Sequence, residues 1–279
     1  MRILSAILKH PSGRIGALII VFYIVAAGLG AFGLTPHNAL KQFPIDRLKP
    51  PNAGYWLGTD LLGRDTLSRL MLGIGQSLII AFASVAIASV AGSIIGLFAA
   101  WWGSLADGIF MRIMDVLLAF PAILLALLII AIVGPGTWTS IAAIAIVYTP
   151  IFARVVRGPA LSLKRREFVD AARTFGSSES YILTRHLLLN LVAPLTVQVT
   201  LALAWALLTE AGLSFLGLGT QPPTPSLGLM LADSKNLMQH APWLMLFPGL
   251  TIMLGILGFN LTGDALRDIL DPRTQRRER

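Results

Sequence analysis

The 279-residue chain is 55% hydrophobic and only 13% charged, and its long uncharged runs exceed what one soluble core of this size can bury, so it belongs in a membrane. Its formal charge of +8 comes from basic residues between apolar runs and at both ends, not from one face interleaved with aromatics, which argues against a nucleic-acid partner. With no cysteine in the sequence, disulfide frameworks, thiolate metal sites and cysteine nucleophiles are excluded.

About 20 apolar residues carry a helix across a bilayer, and six apolar runs of that general kind follow one another along the chain. After an N-terminal segment at 1–14, the first span is expected at 15–34, where the run is longer than the apolar region of a cleaved signal peptide. An outer loop and a leading helix at 35–76 precede the second span at 77–100. The third is expected at 121–133, beginning a turn or two earlier near Met114, and the fourth at 139–153. The fifth and sixth follow at 193–216 and 242–261, closing a membrane core at 77–261 before a basic tail at 262–279. Pro121, Pro150 and Pro248 are expected to kink spans three, four and six. Arg112 and Asp115, at i and i+3, are spaced to pair.

Lys and Arg are retained on the cytoplasmic side. With both termini inside, 16 of the 22 basic residues lie in cytoplasmic segments. The stretch 158–190 between spans four and five is then cytoplasmic.

In the outer loop, Gly58 and Gly63 permit tight turns, and Asp65 can cap a helix whose Leu67, Leu70, Met71 and Ile74 form an apolar stripe. Thr220 to Pro225, with three prolines, predicts a stiff loop. Glu210 is the carboxylate well inside a span; counted from Pro194 it sits roughly 24 Å along a core about 30 Å thick, toward the outer face. Two roles fit such a residue: a hydrogen-bonded or ion-paired contact holding the fifth helix to a neighbour, or a place near an outer gate or translocation path.

Within 158–190, Phe168, Ala171, Ala172 and Phe175 recur at i, i+3, i+4 and i+7, a single helical stripe that Glu167, Asp170 and Arg173 avoid. Gly176 can take the left-handed conformation that ends a helix, and Ser177 followed by Glu179 suits the start of the next. The expected shape is helix, corner, helix. Three readings compete for the stripe: packing on the chain's own helix ends, contact with lipid headgroups, or docking in a groove on a partner protein.

Asp170-Ala171-Ala172 followed by Gly176 resembles the EAA loop of ABC importer permeases, with aspartate for the usual glutamate and Leu189 where that motif commonly ends in proline. Further stretches resemble the peptide/nickel permease group: Leu57-Gly58-Thr59-Asp60 with Leu62-Gly63-Arg64-Asp65, MRIMDVLLAFP from Met111 to Pro121, TEAGLSFLGLGTQPPTPSLG from Thr209 to Gly228, and GDALRDILDPR from Gly263 to Arg273. Leu227 stands where that group usually has tryptophan. The resemblance covers nearly the whole chain and implies an all-α integral membrane permease of six transmembrane helices in a prokaryotic inner membrane. It makes Phe168, Asp170, Ala171, Ala172, Phe175 and Gly176 a coupling helix for an ATPase. It also makes Glu210, Ser214 and Phe215 candidates for the pathway or gate, and Asp60, Arg64 and Asp65 candidates for outer-loop contacts. The partners implied are a homologous second permease, two ATP-binding subunits or domains, and an extracytoplasmic solute-binding protein for di/oligopeptides or related solutes.

The chain has no G-x-x-x-x-G-K-[ST] run and cannot supply a phosphate-binding loop of that type; no cofactor is expected on it, and the resemblance implies ATP and Mg²⁺ on the partner ATPases. A membrane enzyme is the first alternative, but His10, His37, His186 and His240 all fall outside the predicted spans and form no H-E-x-x-H pair. An ATP-independent channel is the second, and it would need a filter or charged ring for which Glu210 alone is thin support.

Overall fold

A computed structural model describes residues 2–270, so the second half of the expected basic tail lies outside the described residues. The described chain is helical almost throughout: α1 (Arg2–Lys9), α2 (Pro11–Ala31), α3 (Thr66–Trp102), α4 (Ser104–Ala119), α5 (Ala122–Val133), α6 (Thr137–Leu163), α7 (Glu167–Thr174), α8 (Glu179–Tyr181), α9 (Leu188–Phe215), α10 (Leu227–Ser234) and α11 (Trp243–Leu270). A π-helical turn at Ile182–Leu187 joins α8 to α9, so 179–215 runs as one 37-residue helix.

Five helices are long and apolar enough to cross a membrane, and α4 with α5 makes a sixth if that bent pair counts as one span. The expected third span is thus broken: α4 and α5 meet at 94°. The cause is local. Pro121 disfavours helical backbone in the residue before it, and Phe120 is extended at φ −88°, ψ 139°. Pro150 and Pro248, by contrast, lie inside α6 and α11, which continue past them as single helices. The other spans are longer than expected, because α3 begins at Thr66, α6 runs on to Leu163 and α11 to Leu270. The polar turns that flank these apolar runs keep the same helical backbone.

Side chains of α3, α6 and α9 make the main core, with Ile80, Ala81, Val85 and Ala88 packed among Ile144, Val147, Phe152, Ala206 and Leu207. Close approach of α3 and α6 depends on Gly92 and Gly96. A Cβ on Gly96 would stand 2.4 Å from the Ala153 carbonyl oxygen, and one on Gly92 2.5 Å from the Phe152 Cβ. Gly96→Val should therefore force the two helices apart and destabilise the chain by about 1–3 kcal/mol, read as a lower midpoint of thermal unfolding in detergent. An unchanged midpoint would mean the helices separate at no cost.

Away from this core the helices show apolar side chains outward, as lipid-facing helices do: Leu18 and Phe22 of α2 are 64% and 61% exposed. The α4 helix is tied to α6 by ion pairs. Arg154 Nη2 lies 2.6 Å from Asp115 Oδ1, and Arg157 pairs with Asp107. Asp115 thus bonds across to α6 and not to Arg112 along its own helix.

A second, smaller cluster lies at the end of the bundle that carries α7. Ala100 and Trp101 of α3, Val156 and Ala160 of α6, Val169 of α7, and Ile182, Leu187 and Leu191 pack together there. At the opposite end stand the loop 32–65 and the segment 216–242.

Candidate functional site

The α7 helix is two-faced. Val169 is fully buried in the smaller cluster, and Ala172, half-buried, packs beside it. On the other side Phe168 is 40% and Phe175 88% exposed, with Ala171 exposed between them. The expected four-residue stripe is therefore divided. Phe168, Ala171 and Phe175 face outward, whereas Ala172 is turned toward the chain's own core, because Val169 claims the inner face one turn away. Asp170 sits in the first turn, where the helix dipole favours an acid, and its side chain is 71% exposed. Gly176 has φ +78° and open space around it, so it turns the chain without clash. Ser178 caps the following helix, its hydroxyl accepting from the Tyr181 N–H, in place of the expected Ser177.

Glu210 is fully buried near the C-terminal end of α9. Its Oε1 accepts a hydrogen bond from the Ser214 hydroxyl at 2.7 Å, and that hydroxyl accepts in turn from the Thr220 N–H at 3.2 Å. The hydroxyls of Ser77 on α3 and Ser226, the α10 cap, lie near this carboxyl, whose Oε2 has no hydrogen-bond partner. Each of those two accepts a backbone N–H, from Leu227 and Leu229 respectively, at 3.3 Å. Three serines thus surround one carboxyl where α3, α9 and the loop entering α10 meet. Phe215 is half-buried one residue beyond Ser214.

The outer-loop candidates fall into different places. Asp65 is 2% exposed and caps α3, accepting from the Ser68 N–H at 3.0 Å, so it is not offered to an outside partner. Gly58 and Gly63 make the expected turns at φ +73° and +72°. Asp60 and Arg64 pair at 2.7 Å and line a cavity of about 260 Å³ with Arg69, Asp233, Met230, Pro222 and Pro223. Arg69 lies 3.4 Å from Asp60 and 3.5 Å from Asp233. Burial pushes the Asp233 carboxyl up, and Arg69 opposes that shift. Further out, hydrogen bonds from Lys49 and Tyr55 hold the Asp46 carboxyl below its ordinary range.

The sequence family described as binding-protein-dependent transport system inner membrane component matches residues 92–276, more than half of the chain and all of α7 and its corner. The chain belongs to this family. Among relatives of this permease is the dipeptide transport system permease protein DppC of Alkalihalophilus pseudofirmus, 45% identical over 265 residues, covering 95% of this chain and 87% of that protein. The di/tripeptide transport system permease protein DppC of Pseudomonas aeruginosa is 42% identical, covering 95% of this chain and 89% of that one. A glutathione transport system permease protein, GsiD of Pectobacterium atrosepticum, is 42% identical, covering 93% and 86%. Among solved structures, an inward-facing MetNI methionine ABC transporter chain superposes with a TM-score of 0.58 at 19% identity, covering 72% of this chain and 96% of that one. At that identity the likeness establishes the shared fold. Membership in a binding-protein-dependent transport family sets aside the channel and the membrane enzyme.

Several residues that build these parts of the permease had no signal of their own in the sequence. Val169 fell off the aromatic stripe. Ser77 and Ser226 lie 133 residues before and 16 residues after Glu210, a separation that only tertiary packing closes. Trp101 stands at the end of an apolar run, where its ring could equally belong to a membrane interface.

Proposed function

We propose that this chain is one of two permease subunits of a prokaryotic inner-membrane importer for di- or oligopeptides or related small solutes. A homologous second permease, two ATP-binding subunits or domains and an extracytoplasmic binding protein complete the complex. The observation that carries this reading is α7, an eight-residue helix whose inner face is buried while Phe168, Ala171 and Phe175 stand exposed. So short a helix is marginal in water, and an aromatic pair flanking an alanine suits a groove on a partner. ATP and Mg²⁺ reside on the partner ATPases. ATP binding closes them, α7 moves with them, and the spans rock so that the pathway opens outward; hydrolysis resets the cycle. The peptide substrate class is supported by the names of the relatives. The Glu210 carboxyl holds the outer end of the pathway together, and the cavity at Asp60 and Arg64 lies on the surface offered to the binding protein.

In this reading both termini and α7 are cytoplasmic, following the distribution of basic residues. The chain has no cysteine, so a single Ser178→Cys gives one reporter at the α7 corner. An impermeant maleimide should leave it unlabelled in intact cells and label it once the membrane is opened. Labelling in intact cells would invert the topology and remove α7 from the ATPases. Uptake of labelled dipeptide into vesicles bearing the complex, dependent on ATP and on the loaded binding protein, tests the activity itself.

A further inference from the structure

Trp101, the penultimate residue of α3, is 7% exposed and has two cations over its ring. The Arg173 guanidinium of α7 lies 4.9 Å from the ring centroid, and the Lys164 ammonium, just past the end of α6, lies 5.4 Å from it. Lys164 also donates to the last carbonyls of α3, to Ala100 at 3.3 Å and to Trp101. Arg173 continues the linkage into the next helix through a 3.2 Å contact with Glu179. Three elements therefore meet at one indole, α3, the end of α6 and α7, and Arg173 ties α8 to them.

In sequence, α7 is far from α3, with Arg173 72 positions after Trp101. A displacement of α7 reaches α3 through side chains, and this ring lies on that route beside Val169, which packs in the same cluster. The two cations suit that task, since a cation over an indole face is attracted electrostatically yet is not locked to one hydrogen-bond geometry. The receiving helix is long and unbroken. At 1.5 Å per residue, Trp101 stands about 36 Å along α3 from Ser77, which lies near Glu210 at the opposite end and accepts from the Leu227 N–H there.

We propose that Trp101, held between Arg173 and Lys164, is the positioning residue that passes motion of α7 to α3 and so to the Glu210 end of the bundle. This rests on α7 being the ATPase-facing helix. In its absence the ATPases still dock and turn over, but their closure is not delivered to the spans. Simple core filling would make a different prediction, because leucine and phenylalanine would then serve equally well at 101.

The test uses the whole complex with its ATPases and binding protein in proteoliposomes, with dipeptide uptake and ATP hydrolysis followed together. Trp101→Leu should co-purify with its ATPases in the wild-type ratio yet import about tenfold less solute per ATP. Trp101→Phe, which keeps a π face, should stay within about threefold of wild type, and Arg173→Lys should likewise be milder than Arg173→Gln. Combining Trp101→Leu with Arg173→Gln should be no worse than Trp101→Leu alone, as expected for one shared contact. The proposal is overturned if Trp101→Leu imports normally per ATP, if the two losses simply add, or if Trp101→Leu sheds its ATPases, which would make the ring a scaffold for docking. Failure of the underlying reading shows elsewhere, in normal assembly and import by Ala171→Arg, a variant that leaves Trp101 untouched.

Discussion

Ala171→Arg should abolish binding-protein-stimulated ATP hydrolysis and solute uptake, and it should reduce or eliminate co-purification of the ATPases. Ala171 lies between Phe168 and Phe175 on the outward face of α7. A long cation there would enter a desolvated contact without a partner, a change that costs several kcal/mol at an interface, or about 3–5 kcal/mol where the charge is fully buried. The substitution separates docking from folding because Ala171 is exposed in the chain, whereas Ala172→Arg would also disturb the packing beside Val169. Thr174→Arg, exposed but off the stripe, should do much less. An Ala171→Arg complex that assembles and transports normally would place α7 against lipid and would sink the docking assignment.

Glu210→Leu should lose most transport while Glu210→Gln keeps much of it. The fully buried carboxyl receives the Ser214 hydroxyl, and the Ser77 and Ser226 hydroxyls lie near it. Leucine would leave the buried Ser214 hydroxyl without its acceptor, at about 1–3 kcal/mol, and would set hydrocarbon against the Ser77 and Ser226 hydroxyls. Glutamine retains a carbonyl oxygen at the same reach, so it can accept from Ser214 and hold α3, α9 and the loop before α10 together. The measurement is ATP-driven uptake in vesicles, with thermal unfolding as a parallel readout. Equal damage by glutamine and leucine would show that the charge itself is required, and the contact role would then be wrong.

The parts of this molecule that were legible in the sequence are those governed by neighbours along the chain. Gly176 announced a corner because a glycine after an amphipathic turn has few other uses, and Asp65 announced a cap because a carboxyl just before a helix finds free N–H groups. The long apolar runs announced the spans. Periodicity could not divide the α7 stripe, because Ala172 lies at its margin and the burial of Val169 decides which way the helix rolls. Pro121 announced a bend in the third span, but hydropathy could not show that it amounts to a 94° break between α4 and α5, since both sides of it are apolar. Asp65 was read as a cap and also as a surface contact, and a 2% exposure leaves it only the first role. The serines around Glu210 and the cations around Trp101 come from distant segments, and no local rule connects them.

The broken span also affects the surrounding lipid. With 12 residues, α5 rises only about 18 Å, well short of a hydrocarbon layer about 30 Å deep. Its flank is apolar and open, with Leu128 52% and Ile132 78% exposed, and where it meets lipid by itself the acyl chains beside it would compress. A subunit inserted singly would thus carry a standing elastic distortion in its annulus. Protein surface laid against α5 would release that distortion.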